Sequence, residues 1–290
     1  MTPHIPIPKI DHEIALAYAA RLHDRQKRRG THVRSAFFYR TDETQPLPPA
    51  TELLKNRSQN GLHLKMALFY LWNGGSEHPH AETGDVHTVQ YNDAHSGALF
   101  GFPEFDINGD TDVNGRRRIA NARKSLGKLD LVKTEPKKGQ APIVHLLKED
   151  GSGDEYRPPG AAGGGGKYHS LPSEFWTRGW HLHLSGSAVV AMLVLQHMKK
   201  TTSKTELWVN PTFRRRHFGF SEDTWYKGAN ELVDFGIARR KRKAISEPFE
   251  IESRRRRYTY EFDINNLITG VPIRDPARLL LEERKAAEAL

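Results

Sequence analysis

The sequence predicts an α+β protein, mainly α, made of two similar units that each run helix, strand, helix, helix, strand, strand. Three observations carry that prediction. A short internal repeat sets LGKLDLV (Leu126 to Val132) over LVDFGIA (Leu232 to Ala238), so that Leu126 falls on Leu232, Leu129 on Phe235 and Leu131 on Ile237. Upstream, Ile119 falls on Trp225 and Ala122 on Gly228, which gives core positions at i, i+3 and i+7 of a helix in both copies. Between the copies, KEDGSGDEYRPPGAAGGGGK at residues 148–167 is too rich in Gly and Pro to order easily and reads as a flexible linker.

The expected division is an N-terminal arm and helix over 1–50, a first unit over 51–148, a linker over 149–168, a second unit over 169–270 and a C-terminal helix over 271–290. Three prolines make residues 1–10 an extended arm, after which Asp11 caps a helix to about Arg29 with Ile14, Ala17, Tyr18 and Leu22 on one face. In the first unit LLKNRSQNGLHLKMALFYLW ends in a long helix, DVHTVQY is a strand and SGALFGFPEF a short helix. Asn114 caps RRRIANARKSLGKL, and LDLVKT and IVHLL form a hairpin across EPKKGQAP.

The second unit begins with the helix Ser185 to Lys200 and a short strand, Glu206 to Val209; Pro211 then opens the helix PTFRRRHFGF. Ser221 caps a helix to about Phe235, and two basic strands follow across a Pro-bearing loop. Asp275-Pro276 opens the last helix, whose Leu279, Leu280 and Leu290 can pack back or offer a homodimer contact.

Composition limits the partners. The chain has 290 residues, 37% apolar and 9% aromatic, enough to fill real cores, and a formal net charge of +9 that favours a polyanion. No cysteine is present, which excludes disulfides, thiolate zinc sites and thiol catalysis and fits a reducing cytoplasm. The longest apolar run, Ser187 to Leu195, falls far short of the roughly 20 residues of a bilayer span, and the N-terminus has the wrong polarity for a secretory signal. A cytoplasmic, nucleoid-associated protein with no membrane partner is the expectation.

The order of elements, with a helix ending in an apolar-x-x-apolar-x-apolar step and a hairpin directly behind it, resembles the winged helix-turn-helix family over about 61–147 and 185–264. The resemblance implies double-stranded DNA as partner, because an α-helix fits the major groove while a basic hairpin beside it reaches phosphates or the minor groove. Transcription regulators use this fold most often. Two such units in one chain with long first helices also resemble plasmid replication initiators, the first alternative role; a DNA- or RNA-processing enzyme or an RNA-binding module is the second.

The candidate contacts follow from the helical and strand periods. Burying Ile119, Ala122 and Leu126 leaves Arg116, Arg117, Asn121 and Lys124 outward, and the wing EPKKGQ adds Lys137 and Lys138. In the second unit, burying Trp225, Ala229, Leu232 and Phe235 leaves Thr224, Lys227, Asn230, Glu231 and Asp234 outward, with Asn230 suited to adenine and Lys227 to guanine or phosphate. Arg214, Arg215 and Arg216 can cross a phosphate backbone.

The second wing holds nine Lys or Arg against four Glu between Ala238 and Phe262. Its outgoing strand carries Arg239, Arg240 and Arg242, its turn runs over 244–253, and its return strand opens with Arg254, Arg255 and Arg256. Tyr258, Tyr260 and Phe262 share one face of the return strand and Arg257, Thr259 and Glu261 the other. Burial of Tyr258 and Tyr260 would weaken the competing view of the strand as an RNA-stacking surface.

Other chemistries fail on their own requirements, and none calls for a cofactor. DTDVNG at 110–115 begins like a calcium loop but has Asn121 where a bidentate Glu is needed. Gly166-Lys167 lacks the first Gly and the Ser or Thr of a phosphate loop. His78-Pro-His80 and His181-Leu-His183 lack an accompanying carboxylate pattern and read as surface or packed histidines, the sequence leaves open whether the His-rich stretch 77–95 binds a metal, and HEIAL at His12 lacks the second His of a metalloprotease helix. Ser185 and Ser187 lie outside any nucleophile-elbow pattern and read as caps, so no enzyme activity is expected.

Overall fold

The computed structural model describes residues 9–25, 30–55, 59–74, 87–89, 93–102, 113–160, 164–244, 256–270 and 272. Of the residues and segments singled out in the sequence, His78, His80, Asp110–Asp112, Arg254, Arg255, the turn over 245–253 and the C-terminal helix lie outside these residues, as does the side chain of Arg256.

The first helix, α1 (Lys9–Asp24), lies against two later short helices, α4 (Asp93–Leu99) and α6 (Glu174–Thr177). It buries Ala15, Ala19 and Leu22 rather than the face through Ile14 and Ala17, and Ile14 is left 45% exposed. Alanines four apart let the neighbouring backbones come close; the bulkier Ile14 would hold them off, so it faces out. Strand β1 (Thr31–Arg34) follows, and pairs antiparallel with β5 (Tyr168–Leu171).

That pairing brings the Gly/Pro-rich segment onto the body of the protein. Arg34, almost fully buried, forms an ion pair with buried Glu149, donates from Nε to the Gly165 carbonyl at 2.9 Å and also reaches the Arg157 carbonyl. Its guanidinium lies 5.5 Å over the ring of Tyr156, itself 1% exposed. Burial holds the Glu149 carboxyl above its usual range while Arg34 opposes the shift. The described part of 149–168 is therefore an ordered wrap around one arginine, unlike the tether its composition suggested. Many chain carbonyls converging on one desolvated cation give an otherwise loose segment a reason to order.

The first unit runs from α2 (Pro49–Lys55) through a 3-10 turn to α3 (Leu62–Gly74), then β2 (Thr88–Val89), α4, α5 (Val113–Lys128), β3 (Val132–Glu135) and β4 (Ile143–Leu146). Nearly all of α3 is buried, Lys65 included, as a helix with apolar residues on every side must be. The second unit follows the wrap and two short helices, α6 and α7 (Trp180–His183). Its order is α8 (Gly186–Thr202), β6 (Glu206–Leu207), α9 (Pro211–Phe213) continued by a π-helical stretch over Arg214–Phe218, α10 (Glu222–Asp234), β7 (Ala238–Ala244) and β8 (Arg256–Phe262), closed by α11 (Asn266–Thr269).

Both three-stranded sheets are antiparallel with the last strand in the middle, in the orders β2-β4-β3 and β6-β8-β7. The repeated step between helix and sheet has a physical origin. Asp130 and Gly236 both take a left-handed conformation, with φ of 51° and 71°. Leu131 then donates its N–H to the Leu126 carbonyl at 3.1 Å, and Ile237 to that of Leu232 at 2.9 Å. This is a Schellman ending, which satisfies the last helical carbonyls and packs the residue after the turn onto the final apolar turn of the helix. Leu126, Leu131, Leu232 and Ile237 are all buried accordingly.

Caps hold the second unit as expected. Ser185 Oγ accepts from the Ala188 N–H, Ser221 Oγ from that of Thr224, and Asn210 caps the helix that Pro211 opens. Asn114 instead lies inside the first turn of α5, which begins one residue earlier.

A single apolar core runs through both units. Where they meet, a Cβ on Gly61 would come within 2.4 Å of the Gly186 Cα, so the turn before α3 and the start of α8 touch backbone to backbone. In the second unit a Cβ on Gly228 would lie 2.2 Å from the Ser187 carbonyl oxygen, which draws α10 tightly onto α8.

Candidate nucleic-acid interface

Helix α5 presents the cleaner surface. Gly115, Ile119, Ala122 and Leu126 are buried, so Arg116, Arg117, Asn121 and Lys124 all stand on the exposed side. Among the described residues no ion pair engages Arg116, Arg117 or Lys124. Arg118, which the sequence reading passed over, is exposed as well and lies 5.3 Å over the Phe102 ring. Arg123 turns inward to Asp93 of α4, which leaves the outer arginines clear of that carboxylate. Beyond the helix, Lys137 and Lys138 sit exposed at the tip of the β3–β4 hairpin, in a turn closed by Gly139 at φ 73°.

Helix α10 occupies the matching place with different chemistry. The repeat sets Glu222 and Asp223 where α5 has Arg116 and Arg117, and Lys227 and Asn230 where it has Asn121 and Lys124. Lys227 and Asn230 are exposed as expected and Thr224 is half-buried, its hydroxyl 2.8 Å from that of Ser221. Lys227 forms an exposed ion pair with Asp223 at 2.8 Å, and Asn230 Oδ1 accepts from Arg240 at 2.6 Å.

Glu231 departs from the expectation that it faces outward. Its carboxylate accepts the Ser185 N–H at 2.7 Å and the Ser185 hydroxyl at 2.6 Å, placing negative charge at the N-terminus of α8. Beneath it, burial pulls the ammonium of Lys65 down to about 7, with the Glu231 charge opposing.

The β7–β8 register decides which cations of this hairpin are available. Arg240 lies opposite Tyr260 and Arg242 opposite Tyr258, on the face shared with buried Phe262. Arg239, Lys241 and Lys243 lie on the other face, opposite Glu261, Thr259 and Arg257. There Lys241 pairs with Glu261 at 2.5 Å and Glu206 at 3.6 Å, Lys243 also pairs with Glu206, and Arg257 stacks on Trp208 at 4.5 Å. Two hairpin lysines are thus neutralised by the sheet's own carboxylates. Arg239 and Arg242 are exposed and make no ion pair among the described residues.

Tyr260 is buried, but Tyr258 is 37% exposed and meets Tyr226 of α10 edge-on at 6.5 Å. The Arg240 guanidinium lies 4.9 Å over Tyr258. Asn230, Tyr226, Arg240 and Tyr258 therefore form one exposed cluster between α10 and its hairpin. Tyr226 was legible in the sequence, since it precedes Asn230 by four and shares its helical face.

Arg214 corrects the sequence reading. It is 3% exposed, points inward with its Nε toward the Phe220 carbonyl at 3.4 Å, and burial lowers its affinity for a proton. Arg214 opens a π-helical stretch, Arg214–Phe218, whose two ends, Arg214 and Phe218, are the residues turned into the core. Arg215 and Arg216 remain exposed, Arg216 within 3.7 Å of Glu43.

The histidine spacing at 181 and 183 does not make a shared site. His181 is buried with its ring nitrogens 3.2 Å from the Phe175 carbonyl and 2.8 Å from that of Leu99, while His183 turns to the surface. Among the described residues no group of three or more His, Asp or Glu converges as a metal site, and no helix is long and apolar enough to cross a membrane.

No family model, curated protein or solved structure matches the chain.

Proposed function

We propose that this protein binds double-stranded DNA in a sequence-specific manner through two winged helix units, acting as a transcription regulator. The observation that carries the reading is the side of α5 bearing Arg116, Arg117, Asn121 and Lys124, its cations without an ion pair among the described residues, directly ahead of a hairpin with Lys137 and Lys138 at its tip. Arginine can read guanine and asparagine adenine bidentately in the major groove, while tip lysines reach phosphate. The second unit adds Asn230 and Lys227 on α10 with Arg239, Arg240 and Arg242 on its wing.

A role as a plasmid replication initiator is the second reading. It is favoured by the backbone contact between Gly61 and Gly186, which ties two long-helix units together so that both would meet one extended site.

Selection from random duplex DNA, followed by footprinting at two salt concentrations, tests the proposal. Enrichment of a defined site, with Asn121→Ala or Asn230→Ala relaxing preference at single bases and Arg239→Ala weakening all sites alike, is the expected result. Uniform, steeply salt-sensitive binding would reduce the protein to a phosphate binder, and no duplex binding would end the reading. Protection of one site supports a regulator; protection of tandem repeats supports an initiator.

A further inference from the structure

Helix α10 and the hairpin behind it meet through a polar contact that fixes the orientation of an amide. Arg240 of β7 donates from Nη1 to Asn230 Oδ1 at 2.6 Å, and both side chains are exposed. A guanidinium carries only donors, so the amide atom facing it must be the oxygen, and Asn230 Nδ2 is turned away from it. Arg240 is held from the hairpin side as well, 4.9 Å over the ring of Tyr258, which Tyr226 of α10 braces edge-on at 6.5 Å. Tyr226 and Asn230 are four residues apart, so one helical face supplies both the brace and the amide. We propose, on the reading of the protein as a duplex DNA binder, that Asn230 and Arg240 act as one base-reading unit presenting donors only, so that α10 selects guanine where a free asparagine would select adenine.

The chemistry of the base edges makes the distinction. In the major groove adenine offers an acceptor at N7 beside a donor at N6, and asparagine reads it by donating from Nδ2 and accepting at Oδ1. Guanine offers two acceptors, N7 and O6. With Oδ1 turned to Arg240, the groups left to meet a base are the Nδ2 hydrogens and the remaining guanidinium hydrogens, which match guanine. An adenine amine using the second lone pair of Oδ1 would bring its own hydrogens against a cation.

Two carboxylates of the same helix are engaged elsewhere, Asp223 with Lys227 and Glu231 with Ser185, so neither supplies the acceptor that Asn230 has given up. Asn121 of α5 provides the contrast. It is exposed, and among the described residues its side-chain amide holds no partner, which leaves both halves of the adenine contact available. The two helices are thereby set to read different bases, and the difference lies in a residue of the hairpin rather than in the helix.

Selection from random duplex DNA with the full chain, repeated for Asn230→Ala, Asn121→Ala and Arg240→Ala, tests the pairing. Asn230→Ala marks the position read by α10 as the one whose preference it relaxes. The expected result is guanine there in the wild type and, in Arg240→Ala, a swing of roughly tenfold in the guanine-to-adenine ratio toward adenine. Positions relaxed by Asn121→Ala should keep their preference in Arg240→Ala, which also reports that the variant is folded. Adenine at the α10 position in the wild type, no position relaxed by Asn230→Ala, or an Arg240→Ala loss equal for all bases overturns the proposal and leaves DNA binding standing. A wild type that binds no duplex ends both.

Discussion

Helix α5 and helix α10 occupy the same place in the same frame, yet one shows its charge outward and the other cancels it. Arg116 and Arg117 at the start of α5 correspond to Glu222 and Asp223 at the start of α10. Acidic residues suit a helix N-terminus, so α10 gains from its own dipole what α5 gives up. The same contrast extends to the hairpins behind the two helices. Lys137 and Lys138 project from a short hairpin, whereas Lys241 and Lys243 are tied to Glu206 and Glu261. Among the described residues, a sum of cations over the sequence therefore overstates the unpaired charge of the second unit, where Lys227, Lys241 and Lys243 hold carboxylates.

The most severe way to break the comparison is at the packing beneath each helix. Gly228 of α10 corresponds to Ala122 of α5, but only Gly228 has another backbone where its Cβ would go. Gly228→Ala should cost roughly 3 kcal/mol, because backbone cannot step aside as a flexible side chain can. Ala122→Gly should cost only about 1 kcal/mol, from helix propensity. Urea unfolding of the two variants checks this; equal costs would mean α10 is not pinned to α8.

Acid should weaken the second unit's side next. Burial holds His169 and His197 down to about 4 and His181 to about 3, against a usual value of 6.5. Between about pH 6.5 and 4 the unfolded chain binds protons that the folded one refuses, so stability rises with pH through that window and is lost on acidification. A fall of roughly 2–4 kcal/mol from pH 7 to pH 4 is expected in chemical denaturation, flattened by replacing His169 with Gln and His197 with Phe. An unchanged slope in that double variant would show the two rings titrate freely.

The proposed DNA binding gives a further test of the contrast in charge. Changing Arg116, Arg117 and Lys124 together to Ala should weaken binding about 10–100-fold and reduce the salt dependence. Lys241→Ala with Lys243→Ala should change binding by no more than about twofold, since these lysines already hold carboxylates in exposed pairs. Fluorescence anisotropy across a salt series measures both, and a larger loss from the wing pair would reverse the ranking.

The smallest effect lies at the helix endings. Asp130 sits in the left-handed position that Gly236 fills in the other copy. Asp130→Gly should gain about 0.5–1 kcal/mol and Gly236→Ala lose about 1 kcal/mol, read as shifts in the urea midpoint.

The amino-acid sequence by itself determined the local frame. The burial of Ile119 and Trp225, the Schellman step after Leu126 and Leu232, the caps at Ser185 and Ser221, and the two faces of the return strand all depend on neighbours a few residues away, where helical and strand periods act. Which cations stay available was decided only by tertiary structure. Lys243 is neutralised by Glu206 on another strand, Arg214 is drawn inside across a π-helical turn, Glu231 bends back to cap α8, and Arg34 gathers a Gly-rich segment that composition marked as loose. A charge is satisfied by whatever the fold brings within a few ångströms of it, and that partner can lie more than a hundred residues away, as Glu149 does from Arg34.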